Sequence, residues 1–78
     1  MREVLLCDLK KGECAVIKKV NAKAPLCRRL FDIGFVEGTV AKCVRISPAG
    51  DPKAYLVRGT VTALRNKDAA KIVGEALE

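Results

Sequence analysis

Four cysteines are the side chains of this sequence with the widest chemical repertoire. They are Cys7, Cys14, Cys27 and Cys43, and no two of them form a C-x-x-C pair. The chain contains no histidine, so a structural zinc site would need all four thiolates to converge from separate elements. We therefore expect free cysteines that pack as small apolar side chains, and a cysteine-based metal-binding protein is the alternative.

The sequence lacks the usual components of an enzyme active site. Acid–base catalysis needs a positioned proton donor or acceptor, but the acidic residues share no short motif. These acids include Asp8, Glu13, Asp32, Glu37 and Asp51. Gly34 and Gly38 are not followed by the Gly-Lys-Ser or Gly-Lys-Thr of a phosphate-binding loop, so we assign them to a helix stop and a turn. We expect a protein that is not an enzyme and holds no cofactor or metal.

Basic residues are concentrated in the first part of the chain. The net charge is +6, and residues 1–29 hold eight Lys and Arg against three acids. The candidate partner-binding cations in this part are Lys18, Lys19, Lys23, Arg28 and Arg29. Such a surface can attract an acidic protein, a nucleic acid or an anionic lipid, or it can serve solubility alone.

Residues 25–33 are predicted to form the one clear helix, with Pro25 in its first turn. The apolar residues of this segment recur at i, i+4 and i+7 and would form one buried stripe. They are Leu26, Leu30 and Ile33. Gly34 follows at the position that favours a positive φ, and Phe35 occupies the position that contacts Leu30 in a Schellman-type stop.

Strands are predicted on both sides of this helix. Their β-branched residues and flanking turn residues place them at residues 14–20, 39–47, 54–58 and 60–64. Pro48 and Pro52 interrupt strand pairing and predict a rigid loop between the second and third of these. Asn66 is expected to cap a short turn, and the last apolar residues fit either a closing strand at 72–73 or a helix.

Together these elements predict one domain over residues 1–78. Five short strands with one or two short helices favour a small SH3-like barrel. No uninterrupted apolar run approaches the roughly 18 to 20 residues of a membrane span, so direct membrane insertion is not expected. The N-terminus also lacks a signal peptide, and we expect a cytoplasmic protein whose thiols are reduced.

Three segments resemble the ferrous iron transport protein A (FeoA) family. Residues 29–38 resemble its helix-end motif, an Arg-Leu followed by Met-Gly and a second Gly four residues later, with Ile33 in place of Met. Residues 47–52, Ser-Pro-Ala-Gly-Asp-Pro, resemble its hairpin loop. Residues 64–66, with Ala69 and Ile72, resemble its C-terminal segment. The motifs follow in the family's order and spacing over nearly the whole chain.

The resemblance implies an SH3-like barrel with a helix beside it. It also implies a role in binding or regulating the cytosolic GTPase region of the membrane ferrous iron transporter. Candidate partner contacts, besides the cations named above, are Ala49, Gly50 and Asp51 of the loop and Arg65. A homodimer is an alternative to a monomer.

Two alternative interpretations of the sequence remain open. Similar barrels end the metal-dependent repressors of the diphtheria toxin repressor type, but no winged-helix domain precedes the barrel here, which favours a stand-alone protein. A nucleic-acid-binding small barrel would need exposed aromatic side chains for base stacking. Only Phe31, Phe35 and Tyr55 are available, and two of them are expected in the core, so no stable nucleic acid complex is expected.

Overall fold

Within residues 2–77, which the computed structural model describes, six strands form one antiparallel sheet in the order β1-β6-β2-β3-β4-β5. The strands are β1 (Glu3–Leu5), β2 (Cys14–Val20), β3 (Val40–Ile46), β4 (Lys53–Val57), β5 (Thr60–Leu64) and β6 (Ile72–Leu77). The helices are α1 (Ala24–Ile33) and α2 (Asn66–Ala69), with a short 3-10 helix over Leu6–Asp8. The predicted mostly-β fold with short helices is confirmed.

Alternating side chains give the sheet one buried face. In β2, Ala15 and Ile17 are fully buried between partly exposed neighbours, and in β3 the buried residues are Ala41 and Cys43. This period of two is the pattern of antiparallel strands that pack on a core with one face only. The apolar side chains of consecutive strands therefore face the same core.

Helix α1 ends in a Schellman motif. Gly34 has a φ of +121°, and its N–H donates to the carbonyl oxygen of Phe31 at 3.1 Å. The N–H of Phe35 donates to the carbonyl oxygen of Leu30 at 2.9 Å. These are the two hydrogen bonds that define the motif. The predicted helix stop is confirmed, and the helix begins at Ala24, one residue earlier than expected.

The core is built around two aromatic rings. The rings of Phe35 and Tyr55 meet edge to face, with centroids 6.4 Å apart and an interplanar angle of 86°. Apolar side chains from the sheet and both helices surround them, including Leu6, Leu9, Ile17, Leu30, Val57, Leu64, Ala69 and Ile72. The Tyr55 hydroxyl donates to the carbonyl oxygen of Leu6 at 3.2 Å, which satisfies the one polar atom that this ring brings inside.

The barrel is not closed by a backbone ladder within residues 2–77, because β1 and β5 lie at opposite ends of the strand order. The 3-10 helix after β1 contacts α2 and β6. Side chains from β4 fasten it: Tyr55 bonds to Leu6, as described, and the Lys53 ammonium donates to the carbonyl oxygen of Cys7. Two side-chain hydrogen bonds thus join the segment after β1 to β4.

The sequence prediction missed one strand and left another open. Residues 3–5 form β1, which pairs with β6. The segment 72–77 is a strand, not a helix, and it lies inside the sheet between β1 and β2. Six strands therefore replace the five that were predicted.

The capping role predicted for Asn66 is wrong. The N-cap of α2 is Arg65, whose backbone is extended and whose carbonyl oxygen accepts the N–H groups of Asp68 and Ala69. Asn66 is the first helical residue, and its side-chain Nδ2 donates to the carbonyl oxygen of Gly50 at 2.9 Å. Its side chain therefore contacts the loop between β3 and β4.

Candidate protein-docking surface

The outer face of α1 carries an exposed aromatic ring. Leu30 is buried, and Leu26 and Ile33 pack against the core from the same side of the helix. At 100° per residue, Phe31 falls on the opposite side, and 65% of its surface is exposed. Burial of an exposed aromatic side chain of this size against a partner is energetically favourable.

Two open grooves flank Phe31. The first runs between α1 and β2 and is lined by Lys18, Lys19, Val20, Phe35, Val36 and Glu37. The second lies on the solvent side of α1 and is lined by Ala24, Arg28 and Asp32. Cys27 and Phe31 line both grooves and therefore form the ridge between them. We call this ridge with its two grooves the α1–β2 surface.

The predicted cations divide between this surface and its borders. Lys18, Lys19 and Arg28 line the grooves, whereas Lys23 is the N-cap of α1 and Arg29 lies on another side of the helix. The ammonium nitrogen of Lys18 is 3.9 Å from a carboxylate oxygen of Glu75, with side-chain exposures of 52% and 36%. Such an exposed pair contributes little to stability, so Lys18 stays available to a partner.

The predicted loop contacts lie in a different part of the molecule. Residues 47–52 form a turn in which the N–H of Gly50 donates to the carbonyl oxygen of Ser47 at 2.7 Å. The loop is fastened to the start of α2 through Gly50 and Asp51, not to α1. Ala49 and Pro48 are exposed at its tip, Pro52 is half-buried, and the Arg65 side chain is exposed beside it.

One exposed cation near α1 was missed by the sequence analysis. Arg58, in the turn between β4 and β5, lies over Gly34, where α1 ends. A helical wheel could have shown the exposure of Phe31, since Phe31 is out of phase with the Leu26, Leu30 and Ile33 stripe. No local signal in the sequence could have brought Arg58 to the end of α1.

A family model described as the FeoA domain matches residues 4–76. The chain belongs to the FeoA family. A Fe(2+) transport protein A/Fe(2+) transporter FeoB fusion protein from Porphyromonas gingivalis (strain ATCC BAA-308 / W83) is 35% identical over 72 residues. These residues make up 92% of this chain and 8% of the fusion protein, so the chain spans a small part of that relative.

Solved FeoA structures share the fold. The FeoA protein from Chlorobium tepidum is 33% identical, with a TM-score of 0.90 over 96% of this chain and 71% of that one. The FeoA protein from Stenotrophomonas maltophilia, solved in complex with zinc and described as an SH3 domain protein, is 32% identical. Its TM-score is 0.80 over 90% of this chain and 87% of that one. The SH3-like fold and the family are thus both confirmed.

The FeoA family is a family of accessory proteins of ferrous iron transport. In the relative from Porphyromonas gingivalis, this domain and the transporter belong to one polypeptide. Within residues 2–77 of this chain, no helix is long and apolar enough to cross a membrane.

The four cysteines of this FeoA domain are free. Cys43 is fully buried, and that burial raises the pKa of its thiol above the ordinary value. Burial, and then the neighbouring charge of Asp8, raises the pKa of Cys7 as well. Cys14 and Cys27 are half-buried. In the part of the chain from Arg2 to Leu77, no three His, Cys, Asp or Glu side chains are placed to hold a metal ion.

The three aromatic side chains do not form a stacking platform for bases. Phe35 and Tyr55 are both in the core, so Phe31 is the one exposed aromatic ring of the sequence. Single-stranded nucleic acid binding usually requires several such rings along a basic groove.

Proposed function

We propose that this chain is a non-catalytic, cytoplasmic accessory module that binds the cytosolic GTPase region of a membrane ferrous iron transporter and regulates it. The proposal rests on the family and on the relative in which the domain is fused to the transporter. In a fusion protein the two parts share one polypeptide, so each meets the other at a high effective concentration. Where the domain and the transporter are separate polypeptides, we expect them to bind each other.

The observation that carries the proposal is the exposed ring of Phe31 on its ridge between two grooves. Most of the binding energy of a protein interface comes from a few side chains, and aromatic anchors packed into pockets are prominent among them. The flanking grooves provide the complementary concave surface for side chains of the partner. We therefore place the transporter contact on the α1–β2 surface.

The charges around this surface indicate the chemistry of the partner. Lys19, Lys23 and Arg28 are exposed, and their charged side-chain groups form no hydrogen bond or ion pair within the described range of 2–77. Unpaired cations at the rim of an interface accelerate association with an acidic partner and make it sensitive to salt. An acidic patch on the GTPase region is thus the expected complement.

Binding to the full-length transporter in detergent, and to its isolated GTPase region with and without guanine nucleotide, tests the proposal. We expect saturable binding that weakens as salt is raised from about 50 to 300 mM, since exposed charges are screened over this range. Amide shifts of the labelled chain should concentrate on the α1–β2 surface. Absence of binding to both forms of the transporter at low salt would refute the proposal.

A matched pair of variants locates the contact. Phe31→Ala removes the exposed ring of α1, and we expect it to weaken binding at least roughly tenfold, as truncation of an aromatic anchor does. Val61→Ala is the control, because Val61 is also 59% exposed but lies on β5. Equal loss from both variants would show that general hydrophobicity, and not the α1–β2 surface, is responsible.

A further inference from the structure

Arg58 adopts a backbone conformation that its residue type disfavours. Val57 pairs with Thr60, so Arg58 and Gly59 form a two-residue turn between β4 and β5. Their φ angles are +51° and +76°, and Arg58 is the one non-glycine residue in the range 2–77 with a positive φ. Such turns normally carry Asn or Asp in the first position, since other side chains are strained there.

The stem of the Arg58 side chain lies directly on Gly34. A Cβ atom built on Gly34 would be 2.8 Å from Cδ and 3.2 Å from Cγ of Arg58. Gly34 is buried even though it ends an outer helix. The absence of a side chain at Gly34 thus serves two purposes: it permits the positive φ of the helix stop, and it makes room for the stem of Arg58.

The guanidinium group of Arg58 has no partner among the residues that the structure describes. Residue 58 is exposed, and no hydrogen bond or ion pair joins its guanidinium to any residue from 2 to 77. A guanidinium offers N–H donors in a rigid fork that matches a carboxylate. The contact of Cγ and Cδ with Gly34 restricts the stem of the side chain near the end of α1, which lowers the entropy lost on binding.

We propose that Arg58 is a binding residue that receives a carboxylate side chain of the transporter's cytosolic GTPase region at the C-terminal end of α1. This inference rests on the proposed function and adds a residue and a partner chemistry to it. The contact with Gly34 involves only the carbon atoms Cβ, Cγ and Cδ of Arg58. Asn at position 58 would make the turn less strained. Neither the turn nor the contact with Gly34 therefore requires the guanidinium group of Arg58. Residues with a strained backbone of this kind concentrate at functional sites.

The neighbouring charges favour a single carboxylate over a polyphosphate backbone. Asp32 and Glu37 are exposed on either side of Gly34 in the sequence and oppose a densely charged polyphosphate strand more strongly than they oppose one carboxylate. A protein segment can place one carboxylate on Arg58 and an apolar side chain against Phe31. Phe35 and Glu37, which line the first groove, follow Gly34 in the sequence, and the side chain of Arg58 contacts Gly34 itself.

Arg58→Gln tests the proposal, because glutamine keeps Cβ, Cγ and Cδ over Gly34 and loses only the charged fork. The control is Arg45→Gln, which removes the same charge from an exposed position on β3. We expect Arg58→Gln to weaken binding to the full-length transporter at least roughly tenfold, the usual effect of removing a charged hydrogen bond. Arg45→Gln should change affinity by less than about twofold. A thermal melt of each variant confirms that the fold is retained.

A second titration separates this inference from the proposed function. The wild-type chain is titrated with a synthetic peptide rich in Glu and Leu and with a single-stranded oligonucleotide, while the Nε–H signal of Arg58 is followed by NMR. A shift of this signal with the peptide alone supports carboxylate recognition even if the transporter does not bind. Equal loss from both glutamine variants, no loss from Arg58→Gln, or a shift with the oligonucleotide alone would overturn the inference. If the transporter binds and Arg58→Gln has no effect on that binding, the proposed function stands without the inference about Arg58.

Discussion

The carboxylate of Asp51 accepts a hydrogen bond from the backbone N–H of Asn66, with 2.8 Å between Oδ1 and the nitrogen. In return, Nδ2 of Asn66 donates to the carbonyl oxygen of Gly50 at 2.9 Å. The first N–H groups of a helix have no partner within it, so Asp51 provides from a distant loop what an N-cap side chain normally provides. The loop at residues 47–52 and the start of α2 therefore stabilise each other.

Removal of the Asp51 carboxylate should destabilise the chain. We expect Asp51→Ala to lower the free energy of unfolding by about 1 kcal/mol, the usual cost of a lost helix cap. In a domain of this size this corresponds to a fall of roughly 4 to 8 °C in Tm. Asp51→Asn, which keeps the Oδ1 acceptor, should lose less than half as much. Equal effects of the two variants in a urea titration would contradict the capping role.

A side chain at Gly34 should be poorly tolerated. Gly34→Ala has to adopt a φ of +121° and to displace the stem of Arg58, so we expect a loss of about 1 to 3 kcal/mol in unfolding free energy. Gly12→Ala is the matched control, because Gly12 also has a positive φ but a Cβ there would meet no atom within 4 Å. A larger loss at Gly34 than at Gly12 would measure the contact with Arg58. Equal losses would show that backbone strain alone matters.

Stability should fall at alkaline pH because of Tyr55. An exposed phenol ionises near pH 10, and burial raises the pKa of Tyr55 well above that value in the folded chain. The unfolded state therefore loses this proton first. The contribution is fully present below about pH 10 and is lost as the pH rises further, with a slope of at most about 1.4 kcal/mol per pH unit.

Tyr55→Phe isolates this contribution. The variant cannot ionise at this position and should lose less stability between about pH 10 and 11 than the wild-type chain. At neutral pH it should be less stable by about 1 kcal/mol, because the hydrogen bond to the carbonyl oxygen of Leu6 is removed. Urea titrations at a series of pH values measure both effects. Identical alkaline slopes for the two chains would refute the assignment to Tyr55.

The cysteines should differ in reactivity. Cys43 is fully buried and its pKa is raised, so both its access to reagent and its thiolate fraction are low. We expect iodoacetamide at pH 8 to modify Cys43 at least roughly tenfold more slowly than the half-buried Cys27, since Cys43 reacts only when the structure opens. In urea all four cysteines should react at similar rates. Comparable native rates at Cys43 and Cys27, measured by mass spectrometry, would contradict the burial of Cys43.

The sequence by itself determined the features that depend on residues close together in the chain. The bounds of β2 agree with the segment predicted, because it carries the β-branched residues Val16, Ile17 and Val20 and Gly12 precedes it in a turn. The end of α1 at Gly34 was also predictable, since both Schellman hydrogen bonds join residues within six positions of one another. The motif resemblance likewise gave the family, which the comparisons confirmed.

Only the tertiary structure decided the features that join distant residues. Residues 72–77 have an apolar pattern compatible with helix or strand, and the backbone hydrogen bonds of β1 and β2 on either side make this segment a strand. The partner of Asn66 lies 15 residues away at Asp51, and the side-chain stem of Arg58 contacts Gly34 at the end of α1 only through the packing of a hairpin on a helix. Local pattern cannot encode such contacts, because their geometry depends on how the whole sheet folds around its core.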